Sequence, residues 1–363
     1  MTAGASPAKR ARADAMESLD LSIHEFETLD PEALRLDIQN VGVVGVRLYN
    51  PNDKELLDYA EKIDSTARLV RSDGTAHGSR SMAGVTKRWG APTHPNAWRV
   101  RLDPKVRRVF GLLYGTHELM VGCDAYTCLR GDAARACTKA LPDDPGEKFH
   151  KITGSKLKPH IDVHPTMQDS PGRKVEKALE RVSPEFTLAT QGQLVLSSVP
   201  RGGATLVVAP GEHKHTDERH FECSTRRDFS VCTHAGYAHF DGKWRAVDAI
   251  DRGVLIIWAS RLPHGNKLAD PGVDPERLGL FIAWQPRALL PESERMQLKL
   301  QKWEAFSSGG SSDHWASFVP GAKGQGHRGG HYSNRGNLST VLFHRDCTVQ
   351  FSEDLSQRVW EAL

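Results

Sequence analysis

The sequence has no long apolar stretch. No run approaches the roughly 18 consecutive apolar residues that a transmembrane helix requires, so we expect no membrane span. Residues 1–18 also contain no apolar core of the kind found in a secretory signal peptide. These absences predict an intracellular protein, cytoplasmic or nuclear.

Paired cysteines and a strong net charge are also lacking. The six cysteines form no CxxC pair, and in an intracellular protein we interpret them as reduced thiols. A metal centre built from cysteine therefore has little support. The 48 basic and 45 acidic residues leave a net charge of +3, which is too small to indicate a nucleic-acid-binding protein.

The composition is that of an ordinary globular protein, with 39% hydrophobic and 26% charged residues and no internal repeat. Residues 1–18 are predicted to form a disordered basic tail. Its Lys9–Arg12 tract is either a nuclear-import signal, a phosphate-binding arm, or a tract without function. The remainder, 19–363, is predicted to be one domain. We expect N-terminal support and substrate loops over 19–150, a β-rich core over 151–290, and C-terminal helices with a flexible loop over 291–363.

Helical patterns lie mostly outside the β-rich block. Capping residues and apolar spacing predict helices from a cap at Asn52 to about residue 67, from Asp103-Pro104 onward, over 172–181, from Pro291 to about Phe306, and from a cap at Ser352 to Leu363. Polar and glycine-rich composition predicts loops over 70–97, 139–159 and 307–338.

Short apolar runs separated by Gly and Pro turns predict strands. The runs are Val41–Tyr49, Gln193–Val199, Ala204–Ala209, Phe229–His234, Val254–Trp258 and Leu278–Trp284. Their number and spacing favour a mainly β protein with flanking helices, an α+β chain with a sandwich or barrel core. Trp258 and Trp284 are predicted to be core residues of that barrel, more than a platform for substrate.

Two imidazoles and one carboxylate suggest a metal centre. His160 and Asp162 are two residues apart, so in a strand their side chains point to the same face. An isolated pair of this kind is more often a surface strand, but His264 follows an apolar strand about a hundred residues later. Two His and one carboxylate leave open positions on an iron for a co-substrate and O₂. A non-haem Fe(II) oxygenase is therefore the leading hypothesis.

Arg277 is a candidate anion-binding residue. It opens the predicted strand Leu278–Trp284, downstream of His264. Its guanidinium is planar and always charged, and it suits the far carboxylate of a dicarboxylate co-substrate. Arg277 can equally be a strand-edge residue in a salt bridge. Gln193 and Asn266 can hydrogen-bond such a co-substrate or the metal ligands, or they can be plain strand and turn residues.

Three segments carry a family resemblance. They are Pro159–Asp162, the stretch from Gln193 to Lys214 with its Gly202-Gly203-Ala204-Thr205 and Pro210-Gly211-Glu212-His213-Lys214 runs, and Gly253–Asn266. Together they resemble the Fe(II)/2-oxoglutarate-dependent dioxygenases, and within these the phytanoyl-CoA dioxygenase-like family. The resemblance covers about 150–287 well and 40–130 loosely, but not the tail from 290. Glu212 stands where the family usually has Ser, and Val254 where it often has Asp.

The resemblance implies a double-stranded β-helix, the jelly-roll or cupin-like fold, for the core. It also implies Fe(II) on His160, Asp162 and His264, with 2-oxoglutarate held by Arg277. The expected activity is hydroxylation of a small organic substrate by O₂, with succinate and CO₂ as co-products. The residues that read the substrate are expected in loops, for which the candidates are Ser72–Ala97, Tyr126–Lys156 and Ser307–Asn337.

Several alternatives remain open from the sequence. The basic loops and the Lys9–Arg12 tract would suit a nucleic-acid-modifying dioxygenase, and the same metal group would suit a cupin-type enzyme that does not use 2-oxoglutarate. A non-catalytic binding module is a third possibility. Other histidines also compete as ligands, namely His164, which can share the phase of the first strand, and the pair His213 and His215.

Overall fold

The structure is a computed structural model, and it describes residues 16–71, 85–86, 94–129, 143–166, 170–223, 230–307, 315–317 and 353–363. The predictions for the Lys9–Arg12 tract, the Ser352 cap and most of the 307–338 loop lie outside these residues.

The helices and strands are numbered in chain order. The helices are α1 Pro31–Val41, α2 Lys54–Arg71, α3 Pro95–Arg101, α4 Pro104–Tyr114, α5 Pro145–Thr153, α6 Pro171–Val182, α7 His234–Phe240, α8 Glu292–Ser307 and α9 Glu353–Ala362. The strands are β1 Ile23–Glu25, β2 Val43–Arg47, β3 Val85–Thr86, β4 Leu119–Val121, β5 Tyr126–Leu129, β6 His160–Ile161, β7 Thr190–Val195, β8 Thr205–Val208, β9 Phe221–Cys223, β10 Ser230–Cys232, β11 Arg245–Ala246, β12 Val254–Ala259, β13 His264–Lys267, β14 Arg277–Ile282 and β15 Trp284–Pro286.

Two larger sheets form the centre of this mixed α/β architecture. In the described residues, one sheet has seven strands in the order β1-β2-β12-β7-β14-β5-β3, and the other has six in the order β11-β8-β13-β6-β10-β9. Neighbouring strands are antiparallel except for the parallel pair β1 and β2. Consecutive strands such as β12, β13 and β14 alternate between the sheets, so side chains from both sheets can meet between them.

Strand β12 lies at the heart of the first sheet. It pairs with β2 on one side and β7 on the other, and all of its residues are buried. The sequence of a strand that is covered on both faces is continuously apolar, whereas a half-exposed strand alternates apolar and polar residues. Val254–Trp258 is such a continuous run, and it was therefore predictable as a strand. Trp258 and Trp284 are both 1% exposed, which confirms their prediction as core residues.

Helix α1 was not predicted, and it shifts the start of the next strand. Asp30 caps it by accepting a hydrogen bond from the Glu32 amide, and Leu34 and Ile38 bury one face. Gly42 ends it in the left-handed conformation at φ 88°. The predicted strand Val41–Tyr49 therefore begins only at Val43, because the helix takes Val41 and the turn takes the glycine.

Helix boundaries were predicted with mixed success. Helix α4 begins at the predicted Asp103-Pro104, and the Asp103 carboxylate accepts from the Lys105 amide. The cap of α2 lies one residue later than predicted, because Asp53 and not Asn52 accepts from the Glu55 amide. That helix also extends past residue 67, to Arg71.

Two predicted loops contain helices. The lysine-rich stretch 139–159, predicted to be a surface loop, forms α5 over Pro145–Thr153, capped by Asp144 and packed through Phe149. The loop predicted over 70–97 ends earlier, because α3 starts at Pro95. In both cases the helix depends on a capping residue before a proline and on a few buried apolar residues, which composition alone does not reveal.

Segments at both ends of the chain pack against the sheets. The backbone of Glu17 and Leu19 hydrogen-bonds Ala246 on β11, so the predicted disordered tail is ordered by this point. Within the predicted flexible loop 307–338, Trp315 is fully buried, and Gln285 Oε1 accepts from the amides of the two residues that follow it. This short segment of the predicted loop is therefore packed against the core.

The remaining general expectations concern thiols and membranes. Cys123, Cys128 and Cys232 are buried free thiols. Among the helices in the described ranges, none combines the length and the apolarity needed to cross a bilayer.

Candidate metal centre

His160, Asp162 and His264 converge in the structure. Each offers one ligand atom, and these atoms all lie within 4.8 Å of one another, in a group that could hold a metal ion. The convergence follows from strand pairing, because β6 and β13 are antiparallel neighbours in which His264 is the register partner of His160. All three residues are buried. The structure thus brings the three predicted ligands together, while their role stays a prediction.

Backbone carbonyls set the orientation of both imidazoles. Nδ1 of His160 lies 3.0 Å from the carbonyl oxygen of Lys158, and Nδ1 of His264 lies 2.8 Å from that of Leu262. A carbonyl oxygen can only accept, so in each ring the Nδ1–H donates and the lone pair remains on Nε2. Nε2 of His264 is 3.4 Å from Oδ2 of Asp162. Both rings are therefore prepared to offer Nε2 to a cation.

Asp162 is held by two hydrogen bonds from elsewhere in the fold. Its backbone amide donates to the Ser260 carbonyl at 2.8 Å, and its Oδ2 accepts from Nε2 of Gln191 at 2.5 Å. Gln191 was not predicted as a site residue from the sequence. The available signal was its position two residues before Gln193, which places both side chains on one face of β7.

Arg277 is surrounded by neutral acceptors. Its Nη1 donates to Oδ1 of Asn266 at 2.8 Å, and its Nη2 to Oε1 of Gln193 at 3.3 Å. Nε2 of Gln193 in turn donates to Oγ1 of Thr127 at 3.0 Å, and this hydroxyl donates to the Gly279 carbonyl at 3.3 Å. The three residues predicted to hold a co-substrate, Arg277, Gln193 and Asn266, thus form one network, which Thr127 extends.

The charge of Arg277 is buried without an opposite charge. Its side chain is 3% exposed, and no carboxylate in the described residues forms an ion pair with it. Burial lowers the pKa of this guanidinium to about 9. A buried cation is costly unless a counter-ion pairs with it, so this position favours an anionic ligand. Within the described part of the chain Arg277 forms no salt bridge, which disfavours the alternative prediction of a strand-edge residue in a salt bridge.

The metal group and the Arg277 network are neighbours along two strands. On β13, His264 belongs to the metal group and Asn266, two residues later, contacts Arg277. On β7, Gln191 contacts Asp162 and Gln193, also two residues later, contacts Arg277. Residues two apart share a face and lie roughly 7 Å apart along a strand. The two sites therefore face the same interior space at a separation of that order.

The competing histidines have other environments. His164 is buried, and its Nδ1 accepts from the Thr166 amide at 3.2 Å. His213 is buried against helix α1, where its Nε2 lies 3.1 Å from the Gln39 carbonyl, and burial lowers its pKa. Neither belongs to a metal-binding group in the described part of the chain. Glu212, where the resembling family usually has Ser, pairs with His239 and Lys243.

Comparisons with known proteins give a fold-level result. No family model matches the sequence, and no curated protein matches it. Among solved structures, the chain is similar to GlcNAc Inducible Gene 2 (GIG2) from Candida albicans, with 12% identity, a TM-score of 0.50, and 94% of this chain and 83% of that chain covered. At this identity the likeness indicates a shared fold alone.

Matches with lower TM-scores include enzymes from nogalamycin biosynthesis. One is the non-haem α-ketoglutarate-dependent carbocyclase SnoK, with 14% identity, a TM-score of 0.45, and 72% of this chain and 85% of that chain covered. Another is the epimerase SnoN in complex with Fe³⁺ and α-ketoglutarate, with 13% identity, a TM-score of 0.44, and 70% and 83% covered. Membership of the phytanoyl-CoA dioxygenase-like family stays a prediction.

Proposed function

We propose that the protein is an Fe(II)- and 2-oxoglutarate-dependent oxygenase that hydroxylates a small organic substrate. The observation that carries the proposal is the buried Arg277, which forms no ion pair with any described residue, close to the group of His160, Asp162 and His264. Two imidazoles and one carboxylate suit Fe(II) and leave coordination positions open. The spacing of two residues along a strand, roughly 7 Å, is of the size that a short dicarboxylate would need to extend from the metal toward the guanidinium. We also interpret the two facing sheets as a double-stranded β-helix.

The residues of the chain have distinct roles in this proposal. His160, Asp162 and His264 hold the metal, and Gln191 keeps the Asp162 carboxylate in place. Bound Fe(II) would supply O₂ activation coupled to the oxidative decarboxylation of 2-oxoglutarate to succinate and CO₂. Arg277 binds the distal carboxylate in a water-poor site, where an ion pair is strong.

The Arg277 network also helps to distinguish the proposed oxygenase from the alternative functions. A cupin-type enzyme that does not use 2-oxoglutarate has no need for a buried cation close to the metal, so the network favours the first proposal. The hypothesis of a nucleic-acid-modifying enzyme rested on loops that lie largely outside the described residues, and it stays a prediction.

Anaerobic spectroscopy tests the proposal without knowledge of the substrate. Fe(II) and then 2-oxoglutarate are added to the purified protein, and a visible charge-transfer band is expected. His160→Ala should abolish the band, Arg277→Met should weaken it, and His117→Ala, at an exposed position, should leave it unchanged. A folded wild-type protein that binds the metal but gives no band would point to a cupin-type enzyme. Failure to bind metal would point to a binding module.

A further inference from the structure

The turn between β12 and β13 contacts both ligand-bearing segments. We call residues 260–263 the ligand turn. The Ser260 carbonyl accepts from the amide of Asp162 at 2.8 Å, and the Leu262 carbonyl is the acceptor for Nδ1 of His264 at 2.8 Å. A shift of this turn would therefore move the Asp162 backbone and rotate the His264 ring together.

A side chain of the ligand turn anchors it to helix α6. Nε of Arg261 donates to Oε2 of Glu176 at 2.7 Å, and the Glu176 side chain is 10% exposed. Nη1 of Arg173, one turn earlier on α6, lies 3.4 Å from the same oxygen. Burial raises the pKa of the Glu176 carboxyl to about 8. The guanidinium of Arg261 is charged in either state of the carboxyl, so the hydrogen bond remains charge-assisted, and shielding from water strengthens it.

Helix α6 is itself packed against Asp162. A Cβ atom built on Gly172, near the start of the helix, would lie 3.1 Å from the Asp162 carbonyl oxygen and 2.8 Å from Cγ2 of Val163. The helix thus begins against the segment that carries one ligand, and through Glu176 it holds the turn that orients another. The ion pair closes a ring of contacts that joins Asp162, α6, the ligand turn and His264.

We propose that Glu176 is a positioning residue for the metal centre, acting through Arg261. The ion pair fixes the ligand turn relative to Asp162, so that the carboxylate of Asp162 and Nε2 of His264 face one ion. The inference rests on the proposed function, because it needs a metal at this site. A merely structural ion pair would instead stabilise the fold without affecting the geometry of the metal.

The experiment measures metal affinity and ligand geometry in the full chain. Anaerobic Co(II) titration, followed through the visible d–d spectrum, is applied to the wild type, Glu176→Ala, Arg261→Ala and the double variant. Lys177→Ala is the control, because Lys177 is exposed on the same helix. Each single variant should bind Co(II) about tenfold more weakly, at the lower end of the effect of residues that support metal ligands.

Two further results are expected if the pair acts as a unit. The double variant should bind Co(II) no more weakly than either single variant, since the second substitution removes an interaction that is already lost. The d–d spectrum should change in shape as well as in midpoint. Glu176→Gln, which keeps an acceptor for Nε of Arg261, should recover part of the affinity and guards against misfolding of the alanine variant.

The outcomes separate the inference from the proposed function. If the wild type binds no Co(II), the proposed function fails and the inference fails with it. If the wild type binds Co(II) and the variants at Glu176 and Arg261 bind it with the same affinity and spectrum, only the inference is overturned. That conclusion would hold even if the thermal unfolding midpoints of the variants fell, because an ion pair with a purely structural role would affect stability alone.

Discussion

Arg277 and Asn266 are eleven residues apart and lie on consecutive strands of different sheets, yet Nη1 of the arginine donates to Oδ1 of the asparagine at 2.8 Å. The contact crosses the space between the sheets. Asn266 shares its strand with His264, so the same contact relates a buried positive charge to the candidate metal centre.

Replacing Arg277 should weaken 2-oxoglutarate binding and stabilise the metal-free protein. Arg277→Met removes a buried charge that forms no ion pair within the described residues, so we expect the metal-free protein to gain unfolding free energy. The variant should also bind 2-oxoglutarate at least roughly 30-fold more weakly, since a buried charge partner contributes about 2 kcal/mol or more. Denaturant unfolding and anaerobic titration measure the two effects. A variant that is less stable and binds normally would contradict the role of Arg277.

A carboxylate introduced next to Arg277 should compete with 2-oxoglutarate for the guanidinium. Gln193→Glu is nearly isosteric and places a negative charge next to Nη2 of Arg277, while the Thr127 hydroxyl can turn to donate to it. We expect the variant to be more stable than the wild type and to lose 2-oxoglutarate binding while it retains metal binding. Calorimetric titration with each ligand provides the measurement. Unchanged 2-oxoglutarate affinity would show that the guanidinium does not receive this anion.

Gln191 should contribute to metal affinity although it is not a ligand. Gln191→Leu removes the donor to Oδ2 of Asp162 and keeps a similar volume. We expect a 10–100-fold loss of Co(II) affinity, the usual effect of removing a group that orients a metal ligand. Gln357→Leu, at an exposed position on α9, is the control. Equal affinities for the wild type and Gln191→Leu would mean that the hydrogen bond does not position the carboxylate.

Lys302 should make stability depend on pH. The residue is buried on α8, its Nζ donates to the Val121 carbonyl at 2.7 Å, and burial lowers the pKa of its ammonium group to about 7. Between this value and the ordinary lysine pKa, the unfolded chain binds more protons than the folded one. Lys302 therefore makes stability rise with pH across that interval, by at most about 1.4 kcal/mol per pH unit.

The comparison of Lys302→Met with the wild type isolates this effect. Unfolding free energies are measured from pH 7 to pH 10, and the difference between the two proteins should grow with pH in favour of the wild type. Lys177→Met, at an exposed position on α6, should give a constant difference. If the unfolding free energies of the wild type and Lys302→Met change with pH in parallel, the Lys302 ammonium keeps its charge in the folded protein.

The candidate ligands could be found from the sequence because their signal is local. The spacing predicted His160 and Asp162 on one face of a strand, and the two converge although β6 ends at Ile161. His264 follows an apolar run that is recognisable as a buried strand. Helices α1 and α5 were missed because each depends on a few buried apolar residues within a polar segment. Packing against the sheets decides the structure of such segments, and intrinsic propensity is only a weak guide.

The contacts around the ligands could not be predicted. Gln191 on β7 reaches Asp162, which follows β6 of the other sheet, and a slip of one residue along β7 would turn Gln191 to the opposite face. The Glu176–Arg261 pair likewise joins two segments whose proximity follows from the path of the chain after Asp162.

The sequence by itself determined the types and local order of the groups: two imidazoles, a carboxylate and a guanidinium, each placed at a strand or its end. Local spacing fixes which side chains share a face, because the backbone geometry of a strand repeats every two residues. Only the tertiary structure decided that Arg277 lies in the interior with neutral partners, among 45 acidic residues of which none in the described part pairs with it. Whether a charge is left unpaired depends on every group that the fold brings near it, and no local pattern encodes that.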